Sequence, residues 1–181
     1  MSAPTKIPGY VTGTWTVDPI HSDVAYSLKH LGIAKTRGNF TAFSGSVVTA
    51  ENILDSTVTV EIDASSVASG FGQRDDHIKS ADFFHVEEHP TITFTSTGIR
   101  EEGGDYVIDG NLTWRGQSVP VSLNAEFNGV GPNPSHENVA TLGVSAETTL
   151  NRRDFNVGPE GNSFLGEKVK IVIELQAALN S

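Results

Sequence analysis

The chain has 181 residues, 37% of them apolar and 19% charged, long enough for one domain whose core needs no covalent staples. Its formal charge of -10 means that phosphate backbones and anionic surfaces repel it on average, which argues against nucleic acid as a partner. There is no cysteine, so disulfides, thiolate nucleophiles and cysteine metal sites are excluded together.

Residues 1–12 read as an N-terminal tail and 13–181 as a single domain. The opening MSAPTKIPGYVTGTWTVDPI lacks an apolar run of signal-peptide length, and no later window approaches about 18 apolar residues. The expectation is a cytoplasmic chain without stable membrane insertion.

In DPIHSDVAYSLKHLG, Val24, Tyr26 and Leu28 share one face at period two, opposite Asp23, Ser27 and Lys29. Neighbours on a strand point to opposite sides, so His21, Ser22 and Asp23 do not converge as a catalytic triad. Asp18, His21 and Ser22 are expected to fix the turn into this strand. In RGNFTAFSGSVVTA, Phe40 and Phe43 share a face only if a bulge sits near Ala42. ILDSTVTVEIDA sets Val58, Val60 and Ile62 against Thr57, Thr59 and Glu61, a half-buried antiparallel strand.

QRDDHIKSADFFHVEEHP breaks the pattern. Asp75, Asp76, Ile78 and Lys79 suit a short helical connection near residues 74–85, broken near Ala81, ending before Pro90 and crossing one end of the domain. Strands resume with Ile92 and Phe94 in TITFTS. The turns REEGGDY and WRGQS then make hairpins whose inward sets are Tyr106, Ile108, Leu112 and Trp114, then Val119, Val121, Leu123, Ala125 and Phe127. GVGPNPSHEN reads as a long surface connection before Ala140, Leu142, Val144 and Ala146. EKVKIVIELQA alternates Val169, Ile171, Ile173 and Leu175, with only Val172 out of pattern. About eight strands joined mostly by turns is the pattern of a sandwich or an up-and-down barrel.

Chemistry-bearing patterns are sparse. His85 and His89, four apart beside Glu87 and Glu88, are the candidate metal ligands, but Pro90 argues against a helical His89, so the reading is a solvated loop and no metal is assigned. There is no Gly-x-Ser-x-Gly elbow and no glycine-rich phosphate cradle before a helix. The triplets at Asn39 and Asn111 are chance glycosylation matches without a secretory signal. What remains is the apolar face itself. An eight-stranded barrel either fills its lumen with side chains or lines a cavity. A ligand there would be apolar, each methylene removed from water contributing roughly 0.8 kcal/mol.

Four stretches, WTVDPIHSDVAYSLKHLGIAKTRGNFTAFSGSV, RDDHIKSADFFHVEEHPTITFTS, GNLTWRGQSVPVSL and NRRDFNVG, resemble the YceI-like family of lipocalin-like bacterial polyisoprenoid-binding proteins, in its order and over nearly all of residues 13–178. The resemblance implies an all-β fold: an extended eight-stranded antiparallel up-and-down barrel, lipocalin-like, whose lumen binds, stores or transports a polyisoprenoid or isoprenoid-quinone-like lipid without catalysis. No other cofactor is expected. The implied lipid-binding wall, assigned by alternation, is Val24, Tyr26, Leu28, Val58, Val60, Ile62, Ile92, Phe94, Leu112, Trp114, Val121, Leu123, Leu142, Val144, Ile171 and Ile173. Phe83 and Phe84 would cover one opening, and His30, Asn151, Arg152 and Phe155 would lie near a mouth. A structural ion pair or turn contact is the ordinary alternative for Arg152 and Asp154. Many relatives are exported, whereas this chain shows no signal peptide. Two other functions stay open: an enzyme acting on a lipid or quinone through His21, His30 or His85, and a filled barrel working through a protein surface. Edge pairing would allow a homodimer.

Overall fold

The computed structural model describes residues 7–161 and 164–180. Its strands are β1 (Gly13–Val17), β2 (Asp23–His30), β3 (Ala34–Phe40), β4 (Phe43–Thr49), β5 (Thr57–Asp63), β6 (Val67–Ala68), β7 (Thr91–Glu102), β8 (Asp105–Trp114), β9 (Gln117–Asn133), β10 (Val139–Asn151) and β11 (Lys168–Leu179), with one helix, α1 (Gly72–Lys79), between β6 and β7. In the order β1-β4-β5-β7-β8-β9-β10-β11 and back to β1, eight strands form a closed antiparallel barrel. The all-β barrel expectation is met.

The remaining strands continue the ring. β1 pairs with Ala177–Leu179 of β11 and β2 with Lys170–Glu174 of the same strand, so β1 and β2 are two halves of one interrupted stave. The DPIHS turn makes the interruption. Asp18 accepts from Ile20 N at 2.9 Å and meets His21 Nδ1 at 2.8 Å, while Asp18 N donates to Gln176 O at 2.8 Å and Gln176 N donates to Ser22 Oγ at 3.0 Å. The turn is thus stitched to β11 at the residue between its two pairing partners. His21 is occupied by Asp18, as the turn reading expected, and the adjacent triad does not form.

β3 and β4 make a second interrupted stave, pairing with β2 and β1 in turn. Phe40 and Phe43 are both buried, but because strand pairing is interrupted at Thr41–Ala42 rather than by a bulge. True bulges lie elsewhere. Thr97 is the extra residue between the pairs Ser96–Gly110 and Gly98–Asp109, so the inward parity of Ile92 and Phe94 shifts to Ile99. Asn128 is the extra residue on β9.

Only the second half of GVGPNPSHEN is a connection, which corrects the reading of a long one: its first half continues β9 to Asn133, a short 3-10 turn covers Pro134–His136, and β10 begins at Val139. Beyond Ala125, β9 pairs with β10 alone, so Pro132 and the glycines sit where a missing donor or a bulge costs little. Gly103 and Gly104, both at positive φ, close the β7–β8 hairpin in the backbone conformation that a two-residue turn between twisted strands requires.

The helix is shorter than expected, ending at Lys79, and Phe83 and Phe84 lie on the turns that follow. The described part of the tail packs on the barrel: Ile7 is buried, and Tyr10 donates to Ala50 O at 2.5 Å. Residues 1–6 lie outside the described residues. Among the described residues, no helix is long and apolar enough to cross a membrane.

The interior divides in two. Around the β1–β4 end, Trp15 is fully buried, donates to Thr49 Oγ1 at 2.9 Å, and packs with Val47, Ile99, Ala125, Leu142 and Ala177. Toward the other end the buried set mixes aliphatic residues with Phe40, Phe43, Phe84, Trp114 and Phe155, and there Ala34–Gly38 of β3 pair with β2 alone.

Candidate functional site

A cavity of about 620 Å³ occupies the half of the barrel away from Trp15. This lies within the roughly 300–1,000 Å³ usual for small-molecule sites. Val58, Phe94, Leu123 and Val144, all buried, line its deep part, and the exposed Lys35, Gln73, Arg74 and His77 line its mouth. The barrel is therefore filled at one end and hollow at the other.

Every residue of the sequence-derived wall lines this cavity except Leu142, which is 1% exposed within the packed end. The reason is depth: alternation tells inward from outward but not how far along the axis the lumen stays empty. Of the cover and mouth residues, His30, Phe83, Phe84 and Arg152 line the cavity. Phe155 does not. It is buried behind Trp114, with ring centroids 5.3 Å apart. Nor does Asn151, whose side chain accepts from Arg153 N at 2.9 Å and caps the short turn after β10.

Other lining residues escaped the sequence reading of the site. Ile108, Phe127, Val169 and Leu175 sit on strand faces that alternation had already turned inward. Phe71, Arg74, His77 and Ile78 on and beside α1, and Phe164 and Leu165 before β11, carry no such periodicity and reach the cavity through the tertiary fold.

Tyr26, Phe40, Phe84, Trp114 and Phe155 form a continuous chain of rings with successive centroids 5.2–6.0 Å apart. Phe84 is its centre, stacked on Phe40 and edge-on to Trp114, so the post-helical segment is anchored as a cover by aromatic contact. Burial pushes the Tyr26 phenol up to about 12, keeping it a neutral donor. Trp114 Nε1 is buried with no hydrogen-bond partner among the described residues, an orphan donor on a mainly apolar wall.

Arg152, 2% exposed, is a structural hub. Its guanidinium donates to the carbonyls of Gly166, Val157, Pro159, Gly161 and Leu165 at 2.6–3.1 Å, tying down the loop between β10 and β11. The turn contact set against ligand binding for this residue is what the structure contains, and its partners are carbonyls instead of Asp154. Burial pulls the guanidinium's pKa down from its usual value.

The candidate histidines separate. His21 is in the β1–β2 turn, His30 ends β2 against Phe164 at 5.2 Å, and His85 follows α1. Only His30 of the three lines the cavity. His85, Glu88 and His89 do come together, their ligand atoms within 4.8 Å of one another. The turn closes ahead of Pro90, with Glu88 N and His89 N both donating to His85 O, which removes the objection that the proline raised.

The chain that builds this barrel and its cover matches a known family along most of its length. A model of the YceI-like domain matches residues 15–177. The chain belongs to the YceI-like family. Its relatives include a UPF0312 protein of Pectobacterium atrosepticum, 39% identical over 76% of this chain and 71% of the relative, and the protein YceI of Salmonella arizonae, 34% identical over 86% and 81%. Among solved structures, Burkholderia cenocepacia BcnA superposes with a TM-score of 0.78 at 26% identity, covering 90% of this YceI-like chain and 99% of BcnA. A Saccharophagus degradans domain described as polyisoprenoid binding has a TM-score of 0.71 at 12% identity, covering 94% and 100%, a likeness of fold.

Proposed function

We propose that this YceI-like domain is a non-enzymatic carrier or store for an isoprenoid lipid or isoprenoid quinone, the chain in the cavity and the polar head toward the mouth. The observation that carries the reading is the cavity itself, apolar over most of its wall from Phe94 and Leu123 outward, with Lys35, Arg74 and His77 at its rim. A flexible apolar chain fits such a wall because its binding rests on area removed from water and needs few directed contacts. The orphan Trp114 Nε1 supports a ligand that bears an oxygen along or near its chain. The polyisoprenoid-binding description of the Saccharophagus domain, which shares the fold, agrees with this reading.

The deciding experiment is organic extraction of detergent-free protein, with mass spectrometry against a mock purification. A stoichiometric isoprenoid is expected. A clean extract, repeated after incubation with polyprenols and quinones, would overturn the reading. Leu123→Trp and Val144→Trp fill the deep wall and should lower lipid uptake while the fold persists; unchanged loading would place the lipid elsewhere.

A further inference from the structure

We propose that His85, Glu88 and His89 form a binding site for a zinc-type divalent transition metal on the segment that covers the cavity. Two imidazoles and a carboxylate, with ligand atoms within 4.8 Å of one another, are a donor set for zinc, nickel or copper(II), leaving a fourth position for water. Magnesium and calcium prefer all-oxygen shells and are not matched by it. The convergence comes from backbone geometry: His85 O accepts from Glu88 N at 3.2 Å and from His89 N at 2.9 Å, which brings positions i, i+3 and i+4 to one side of a single turn.

That turn is held from behind. Val86 N donates to Lys79 O at 3.1 Å, His85 N donates to Ser80 O at 2.9 Å, and Arg115 Nη2 donates to Ala81 O at 2.8 Å. Gly116 leaves room for the His89 ring, since a Cβ there would lie 3.0 Å from Cε1. His85 itself has φ +52, a conformation uncommon for histidine and retained here under these restraints. The present contacts among the three side chains are loose: His85 Nδ1 lies 3.7 Å from Glu88 Oε2, and the two rings are 5.9 Å apart. A metal would replace them with a tight clamp one residue from the buried Phe84.

The test is calorimetric titration of tag-free, chelator-treated protein with zinc chloride, with magnesium chloride as the control. One equivalent of zinc bound with micromolar affinity is expected, together with a rise in Tm that chelator reverses. The double variant H85N/H89Q, in which Asn tolerates the left-handed backbone, should bind at least about tenfold more weakly. If it does not fold, H89Q alone is the test, with the same expected direction. Unchanged binding in these variants, an equal loss in H77A/H136A, or no saturable zinc binding by the wild type would overturn the site.

A separate observation concerns the mouth, and its meaning rests on the lipid-carrier reading. We infer that the rim docks on an anionic lipid bilayer. Leu31 and Ile33, at the β2–β3 tip, are 50% and 87% exposed, and Phe71 and Phe164, on the cavity wall, are 55% and 57% exposed. Leu31 N donates to Phe164 O at 2.9 Å, joining the tip to the cavity rim. In a chain of net charge -10, residues 24–50 contain Lys29, Lys35 and Arg37 and no acid. Exposed apolar side chains beside cations are the composition that inserts at an anionic interface, here directly over an apolar cavity.

Tag-free protein should sediment with vesicles of phosphatidylcholine and phosphatidylglycerol, less with phosphatidylcholine alone, and less as salt rises. Leu31→Ser with Ile33→Ser, and separately Lys35→Glu with Arg37→Glu, should each lower sedimentation at least about fivefold at unchanged Tm. No sedimentation of the wild type, sedimentation of either variant equal to that of the wild type, or self-association in place of vesicle binding would overturn docking. Lipid content by mass spectrometry separates the two claims: loaded protein that fails to sediment sinks docking alone, and empty protein that sediments sinks the carrier reading alone.

Discussion

The ring of Phe94 lies over Gly110 on the neighbouring strand so closely that a Cβ on Gly110 would stand 2.5 Å from its Cζ. Phe94 belongs to β7 and lines the deep cavity; Gly110 is buried on β8, whose Leu112 faces Phe94 across the ladder. A side chain at 110 would push the ring inward or force the staves apart. Gly110→Ala is therefore expected to destabilise the fold by about 1–3 kcal/mol, and Phe94→Leu with Gly110→Ala by less than the sum of the single changes. Urea unfolding of the four proteins in this cycle checks it, and strict additivity would contradict the contact.

Arg152 satisfies five carbonyls of the β10–β11 connection with one guanidinium. Arg152→Met keeps much of the volume and removes every donor. The expected cost is at least about 3 kcal/mol, and Arg152→Lys should recover only part of it because three donors on one atom cannot span those acceptors. Thermal unfolding decides. A change below about 1 kcal/mol in Arg152→Met would mean that water replaces the guanidinium without loss.

Trp114→Phe removes the orphan N–H while keeping a ring between Phe84 and Phe155. In lipid-free protein its stability should stay within about 1 kcal/mol of wild type, since the relieved unpaired donor offsets the smaller ring. Affinity for an oxygen-bearing isoprenoid should fall by about two- to tenfold, and affinity for a plain hydrocarbon should not. Fluorescent-lipid displacement with both ligand types is the measurement.

The Tyr26 phenol, pushed up to about 12 by burial from an ordinary value of 10.0, links stability to alkaline pH. The folded state holds this proton more tightly than the unfolded chain, so its contribution is complete below about pH 10 and is lost as pH rises toward about 12. Tyr106 is shifted upward too, also by burial, so the comparison must isolate one residue. Denaturation midpoints across this window should fall less steeply in Tyr26→Phe than in wild type; parallel slopes would remove Tyr26 from the account.

Period-two alternation was enough to turn Val24, Tyr26, Ile92, Phe94 and Ile171 inward, because a half-buried strand exposes its burial pattern in the order of its residues. It goes no further where an extra residue or a break changes parity: Ile99, beyond the Thr97 bulge, was not read from the sequence, and the bulge expected between Phe40 and Phe43 is a gap between two strands. The α1 contribution to the cavity was invisible for a different reason: Phe71 and Arg74 belong to no periodic face, and only the crossing of that segment over the barrel end brings them to the wall.

From the sequence by itself came the all-β class, the inward faces, the DPIHS turn and the family, all properties carried by neighbours along the chain. Tertiary structure alone decided that the lumen is filled around Trp15 and Leu142 yet hollow beyond Phe94, that Arg152 serves a loop, and that His85, Glu88 and His89 meet. The physical reason is that alternation records which side of a strand is dry. Whether that dry side meets another side chain or an empty lumen depends on residues far away in sequence, and so on how the staves close around one another.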